Sequence, residues 1–235
     1  SKSPLDINAG YLYDSSRDHK LNLSVGTKQK WGNFSISSFY KMREPYIIKD
    51  RISTGGIYNE LNIAGFTNYG VNPKLTFNLS PKINFNLTPG YYFSERNPGT
   101  PASKIVREQY YNYNLGLKTN IKFNDNQNLI VSGTFDRYDK YDYFRKIKEK
   151  EKKYENEVWR ISSQYNQNLF KKHTLVAGGE VFSEKLLSFM FKNESTGGRE
   201  SAQTYSAFTQ QDWVINPAVT LVTGARMDYH SIFKQ

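Results

Sequence analysis

Apolar and polar residues take turns along most of the chain. From Tyr111 to Phe123 the odd positions hold Tyr111, Tyr113, Leu115, Leu117, Thr119, Ile121 and Phe123. The even positions between them hold Asn112, Asn114, Gly116, Lys118, Asn120 and Lys122. Successive side chains of a β-strand point to opposite faces, so this period of two predicts a strand with one apolar and one polar face. Leu75, Phe77 and Leu79 alternate in the same way with Lys74, Thr76 and Asn78, and Ile83, Phe85 and Leu87 with Asn84, Asn86 and Thr88. Near the end, Val219, Leu221, Thr223, Ala225, Met227 and Tyr229 oppose Thr220, Gly224, Arg226, Asp228 and His230, with Val222 out of pattern. Eleven strands are predicted, near 5–14, 19–31, 33–42, 67–79, 82–95, 110–123, 128–146, 156–166, 173–186, 203–214 and 218–232. Most are longer than the five or six residues usual in globular sheets. They suffice for the roughly 9–11 residues of a tilted membrane strand. The charged run Lys146 to Glu157 reads instead as a helical turn or a solvated loop.

The connections follow their own rhythm. Gly32-Asn33, Ser80-Pro81, Asn124-Asp125-Asn126, Asn168 to Lys172 and Asn216-Pro217 are short and rich in turn formers. The gaps 43–66, 96–109, 147–155 and 187–202 are longer, and only the first, 15–18, is not. An antiparallel meander sends every second connection to the same end. Outer-membrane barrels have short periplasmic turns and longer extracellular loops. The short turns are therefore assigned to the periplasm and the long loops to the outside. Aromatic residues cluster at both ends of the predicted strands. Trp31, Phe34, Phe123 and Trp213 lie by short turns. Tyr11, Tyr13, Tyr40, Tyr91, Phe93, Tyr111, Tyr113, Trp159, Tyr205 and Tyr229 lie toward the long loops. Leu23, Val25, Leu115, Leu117, Val131, Ala177 and Leu221 sit between. Two aromatic belts around an aliphatic band describe a barrel wall. A soluble β-sandwich also carries aromatics, but on shorter strands and without a face so rich in Asn, Thr, Ser and Gly.

Composition sharpens this picture. Hydrophobic residues make up 37% of the 235, yet 15% are aromatic, with 18 Tyr and 15 Phe. Mean hydropathy is −0.70. A disordered chain is poor in aromatics, and no stretch has the roughly 18 apolar residues of a membrane helix. A wall that is polar on one side and apolar on the other accounts for both facts. The formal charge of +10 suits contact with phosphate, from nucleic acid or from lipopolysaccharide. There is no Cys, hence no disulfide and no thiolate chemistry. The opening Ser1-Lys2-Ser3-Pro4 is not a signal peptide.

No catalytic constellation emerges. His19, His173 and His230 follow no zinc spacing. Ser53-Thr54-Gly55-Gly56 and Ser195-Thr196-Gly197-Gly198 lack the Lys-Ser/Thr of a phosphate loop and read as flexible connections. Asp136, Asp139 and Asp142 share a strand end that reads as a solvated edge. The basic aromatic run Tyr138 to Tyr154 could stack single-stranded nucleic acid. Its flanking strands favour an extracellular strand end against anionic lipid headgroups. An enzyme, a metal centre, a bound cofactor and a nucleic-acid partner are thus not expected.

One stretch resembles a known family. Thr204 to Trp213, then Asn216-Pro217, then Leu221 to His230 (Leu-Val-Thr-Gly-Ala-Arg-Met-Asp-Tyr-His) is similar to the mid-barrel hairpin of TonB-dependent receptors. In that family an aromatic strand with Phe, Gln and Trp turns into Leu-Thr-X-Gly-X-Arg-X-Asp-Tyr. The resemblance implies an all-β, antiparallel up-and-down meander, part of a 22-stranded transmembrane barrel in the bacterial outer membrane. It also implies a plug inside the barrel and energy from the TonB complex of the inner membrane. The chain has neither plug nor coupling box and only about half the strands. Residues 1–235 are therefore expected to be the N-terminal half of such a barrel, beginning after the plug. Asn22, Asn84, Asn112, Lys118, Arg160 and Arg226 are expected to face the lumen and plug. Arg51, Arg96, Arg107, Lys192 and Arg199, on long loops, are expected to attract an anionic ligand. The implied activity is import of a scarce chelate: a ferric siderophore, haem or cobalamin. A passive porin with the same wall and a soluble β-rich binding or adhesion module are the competing readings.

Overall fold

The computed structural model describes residues 5–15, 17–51, 58–100, 105–170, 172–188 and 198–232. Eleven strands form a single sheet: β1 (Leu5–Tyr13), β2 (Asp18–Gln29), β3 (Gly32–Arg43), β6 (Gly65–Ser80), β7 (Ile83–Asn97), β8 (Val106–Asn124), β9 (Gln127–Phe144), β10 (Glu149–Leu169), β11 (His173–Ser188), β12 (Gly198–Asn216) and β13 (Val219–His230). β4 (Tyr46–Arg51) and β5 (Tyr58–Ile63) make a separate two-stranded hairpin. Neighbours in the large sheet follow chain order, and every pairing is antiparallel. The described residues contain no helix. The all-β, up-and-down meander expected from the alternation is the observed fold.

Two expectations are corrected. The run Lys146 to Glu157 is neither helical nor an extended loop. A tight turn at Arg145–Lys148, where Lys148 adopts φ 57°, joins β9 to β10, and β10 occupies the rest of the run from Glu149. These strand ends need no apolar face, because charges facing each other across the strands replace it. Lys152 lies 3.3 Å from Asp139, and Lys153 lies 3.9 Å from Asp142. The second correction concerns the connection 43–66, which holds the β4–β5 hairpin with Lys49 and Glu60 paired at 2.9 Å. The two Gly-rich stretches lie outside the described residues, except for Gly198 at the start of β12.

Register sorts the side chains onto two faces. Leu23, Val25, Ile36, Leu75, Leu87, Leu115, Leu117, Val131, Ile161 and Val181 fall on one face. The other face carries amides and hydroxyls. Asn84 donates to Asn78 at 2.7 Å, Asn86 to Asn84 at 2.7 Å and Thr76 to Asn86 at 2.8 Å. Ser132 and Ser162 share a hydrogen bond of 2.8 Å across β9 and β10. Almost nothing apolar is buried: only Phe93, Leu187 and Ala202 among the described residues, and they do not share one face. Leu115 and Leu117 stay 37% and 38% exposed on the apolar face. A sheet with its aliphatic side open is a wall that needs an apolar surround, not a packed two-layer domain.

Aromatics border that aliphatic band. Tyr69, Tyr91 and Tyr113 adjoin across β6, β7 and β8, with ring centroids 6.1 and 5.3 Å apart. At the opposite end Trp31 stacks on Phe77 at 5.9 Å, and His173 lies against Trp213 at 5.0 Å. Along β8 the two belts are marked by Tyr113 and Phe123. Ten residue steps of roughly 3.4 Å, tilted by about 45°, give about 24 Å of height, close to the apolar band of an outer-membrane barrel.

Candidate functional site

The polar face runs unbroken across the sheet, so its rows can be read from the register. One row at the long-loop end joins Phe39, Gly70, Tyr92, Asn112, Tyr138 and Asn156. The next joins Lys20, Lys41, Asn68, Ser94, Tyr110, Lys140 and Tyr154. Above them stand Asp18, Arg43, Phe66, Arg96 and Glu108. Rings and cations thus interleave. Phe39 lies 6.1 Å from Tyr92, Tyr110 stacks on Tyr138 at 6.1 Å, and Tyr154 meets Tyr138 edge-on at 5.9 Å. Lys41 sits over Phe39, Arg43 over Phe66 and Lys140 over Tyr110, at 5.3, 4.9 and 5.5 Å. Phe39 has room because its partner is Gly70; a Cβ there would come 2.7 Å from the ring.

Carboxylates tie the cations down. Lys140 donates to Glu108 at 2.7 Å, and Tyr110 donates to the other Glu108 oxygen at 2.9 Å. The bond from Lys140 is the largest influence on Glu108 and, against burial, holds its carboxyl below the ordinary value. Burial opposes the charge on Lys140, yet its bond to Glu108 leaves the ammonium above its ordinary value. Arg43 approaches Asp18 at 3.6 Å and donates to the Ala64 carbonyl at 3.0 Å. The patch offers stacked rings beside cations, an arrangement that can hold a planar or anionic group at modest cost in desolvation.

Three of the expected ligand cations lie at strand ends rather than on loops and are not on one face: Arg96 on β7, Arg107 on β8 and Arg199 on β12. The strands run on past the apolar band, so positions assigned to loops became paired backbone. Arg96 is on the polar face, 3.9 Å from Glu108. Arg107 and Arg199 are on the opposite face, where Arg107 pairs with Glu95 and Arg199 lies in the row of Leu187 and Glu155. Arg51 ends β4, and Lys192 lies outside the described residues. Sequence reasoning missed Phe39, Lys41, Tyr92, Tyr110, Tyr138 and Lys140 as one group, because only the register puts them side by side.

Asn22, Asn84, Asn112, Lys118, Arg160 and Arg226 all share the polar face. Asn112 donates to Asp136 at 3.1 Å, Arg160 lies 3.5 Å from Glu180, and Arg226 contacts Asp228 at 2.9 Å. The described residues hold no group of His, Asp or Glu able to bind a metal ion.

Comparison with known proteins settles the architecture. No family profile matches the sequence, and no curated protein matches it. Solved structures do match. A ferric enterobactin receptor, PfeA, from Pseudomonas aeruginosa has 12% identity and a TM-score of 0.68, over 97% of this chain and 39% of that one. The copper transporter OprC has 12% identity and a TM-score of 0.62, over 96% of this chain and 36% of that one. The outer membrane transporter YddB from Escherichia coli has 14% identity and a TM-score of 0.62, over 93% of this chain and 35% of that one. The fold of the described sheet is that of the barrel wall in these structures. The chain spans less than two fifths of the length of these three structures. One of these structures is a ferric enterobactin receptor and another a copper transporter, so the shared fold names no ligand for this chain.

Proposed function

We propose that the chain is a wall segment of a bacterial outer-membrane receptor that actively imports a scarce nutrient chelate. The single observation that carries this is the two-faced meander: an uncovered aliphatic band between aromatic belts, backed by an amide-rich face. Such a sheet is stable only with lipid on one side and a polar interior on the other. Both outer strands, β1 and β13, have one neighbour each among the described residues, and further strands would satisfy their free edges. The cargo is a ferric siderophore or haem, with cobalamin as a further option. The patch around Tyr110, Tyr138, Lys140 and Lys41 supports an anionic chelate with planar groups. Coupling to TonB runs through a plug, and lipopolysaccharide meets the apolar face above its belt.

The test is uptake by cells carrying the full-length protein. Membrane fractionation should place it in the outer membrane, and a labelled ferric chelate should accumulate only while the inner membrane is energised. Uptake that persists after the proton-motive force is collapsed would support a passive porin instead. Recovery in the soluble fraction would overturn the wall reading altogether.

A further inference from the structure

A field of lysines occupies the short-turn end of the polar face. Lys28, Lys74, Lys118 and Lys122 stand on its strands, Lys30 and Lys82 in the adjoining turns, and all six are exposed. Within this lysine field one place is concave. Lys30, Lys82 and Lys122 line a cavity of about 540 Å³ together with Asn78, Asn84 and Asn120. Main-chain bonds hold its walls. The Asn78 N–H donates to the Trp31 carbonyl at 2.8 Å, and the Lys122 N–H to the Lys82 carbonyl at 2.8 Å. The turns that carry Lys30 and Lys82 are thereby tied to β6 and β8. The amides are oriented as well. Asn78 accepts from Asn84 at 2.7 Å, Asn84 from Asn86 at 2.7 Å, and Asn120 from Asn128 at 3.2 Å. Each of these amide oxygens is engaged, whereas the Nδ2 groups of Asn78 and Asn120 have no acceptor among the described residues. Ser80, also in the lining, accepts from the Lys82 N–H at 3.2 Å and keeps its own O–H to donate. Among the described residues no Asp or Glu lines the cavity. Asp125 belongs to the neighbouring concavity, which shares Lys122.

We propose that this cavity is a binding site for a small polyvalent oxyanion of the phosphate class. Three observations select the ligand. First, the lining is a donor surface. Three ammonium groups, two amide Nδ2 groups and a hydroxyl have hydrogens to give, and the amide oxygens are already engaged, so the occupant must bring acceptors. Second, three like charges gather with no carboxylate among them. A polyvalent anion relieves their repulsion, whereas a lone carboxylate leaves two of the three unmatched. A phosphate group carries roughly −1.5 to −2 charge and three strong acceptor oxygens, and lysine binds it as a point charge. Third, the volume falls within the roughly 300–1,000 Å³ usual for small-molecule sites, so a diphosphate or a phosphorylated small molecule fits. The site shares no residue with the ring-and-cation patch at the long-loop end. Only its side of the membrane rests on the barrel reading, which puts the short turns in the periplasm. The phosphate comes either from a soluble molecule there or from a lipid headgroup at the barrel rim.

Calorimetric titration of the full-length protein with inorganic pyrophosphate, in phospholipid-free detergent micelles, tests this. Saturable binding is expected. Lys82→Gln/Lys122→Gln removes two charged donors and should weaken it by about tenfold or more. Asn120→Asp keeps the acceptor used by Asn128 but exchanges the free donor for a negative oxygen, and should weaken binding too. Lys28→Gln/Lys74→Gln takes the same charge from the field outside the cavity and should leave the affinity unchanged. A heat-modifiable gel band reports that each variant is folded, and Asn120→Asp carries the test alone if the double lysine variant is not. No saturable binding to the folded parent would overturn the proposal. Equal losses from the two lysine pairs would overturn it as well, since diffuse surface charge would then be the cause. A second arm places the parent in vesicles of phosphatidylglycerol or of phosphatidylcholine. Pyrophosphate binding lost in phosphatidylglycerol alone supports the site with headgroup phosphate as its source, and binding kept in both supports it with a soluble phosphate. Absence of the protein from the outer membrane would overturn the wall reading and leave pyrophosphate binding in place.

Discussion

The two ends of the polar face are built from similar residues and solve charge in different ways. At the long-loop end Lys20 and Arg43 meet Asp18, and Arg96 and Lys140 meet Glu108, with rings of Phe39, Phe66, Tyr110 and Tyr138 between them. At the short-turn end Lys74, Lys118 and Lys122 face only amides and hydroxyls. At the first end two carboxylates brace four cations, and Lys41 is held over the Phe39 ring. At the second end the lysines are left to amides, hydroxyls and solvent. The contrast on a single sheet is between cations fixed by carboxylates and rings and cations that are not.

The comparison requires that the face be polar because the other one meets lipid, and this is where the largest effect is expected. Lys118 is tolerated on the polar face, whereas Leu117, one residue away, is on the aliphatic side. Leu117→Lys should destabilise the folded barrel by about 2–4 kcal/mol, the usual penalty for a cation at the lipid-facing midplane. Urea titration of the full-length protein in lipid vesicles would measure it. A change below about 0.5 kcal/mol would mean that the faces are reversed, and the contrast between the ends would lose its meaning.

Next in size is the loss of a shared carboxylate. Glu108→Ala removes the partner of Lys140, Arg96 and Tyr110 at once. Half-exposed ion pairs contribute little, so about 1 kcal/mol is expected, at the upper end for such pairs because three donors lose one acceptor. The same titration reads this change. Chelate affinity, measured separately, should fall as well if the patch holds ligand, because Lys140 is then no longer fixed over the Tyr110 ring.

A smaller effect should appear with pH. The Glu108 carboxyl is depressed in the fold, chiefly by its bond from Lys140. Its contribution is therefore complete above the unfolded carboxylate value of about 4.3 and disappears as pH falls through the lower folded value. The Lys140 ammonium is raised, so its contribution is complete below about 10.4 and disappears in stronger base. Between these limits the pair should give a flat profile. In Glu108→Ala the acid-side loss should shrink; an unchanged acid limb would assign that loss to other carboxylates, Glu155 first, whose value is lowered mainly by its bond from Lys152.

Much of this architecture was legible because lipid demands strict alternation. β8 could be read residue by residue from its Tyr, Leu and Ile against Asn, Gly and Lys, and the observed register keeps that assignment. Beyond the belts both faces meet water, and the demand lapses. The start of β10, from Glu149 to Lys153, is entirely charged, yet it pairs with β9 through Lys152 and bulges only at Lys153, so it resembled a loop. The β4–β5 hairpin was hidden for a similar reason: Ile47 and Ile48 are neighbours with no alternation to announce a strand. Arg96, Arg107 and Arg199 were assigned to loops because their strands outran the apolar signal. The ring-and-cation patch is legible in sequence only where it enters the basic aromatic run Tyr138 to Tyr154, which holds Tyr138, Lys140 and Tyr154. Lys41, Tyr110 and Lys140 are far apart in the chain and become neighbours only through the pairing of β3, β6, β7, β8 and β9.

The smallest effect belongs to the lysine field, and its smallness is informative. Lys74→Ala and Lys118→Ala remove exposed side chains that have no ion pair among the described residues. In the wall alone each should shift stability by less than about 0.5 kcal/mol, as surface changes away from caps, cores and networks do. Replacing both should be neutral or slightly stabilising, because two repelling charges leave together. Their repulsion is screened over about 8–10 Å at physiological ionic strength, so any gain from the double variant should shrink as salt is raised. Urea titration of the full-length protein in lipid vesicles at low and high salt measures this. A double variant clearly less stable than the parent at low salt would mean that these lysines meet a counter-charge, and the two ends of the polar face would then be alike.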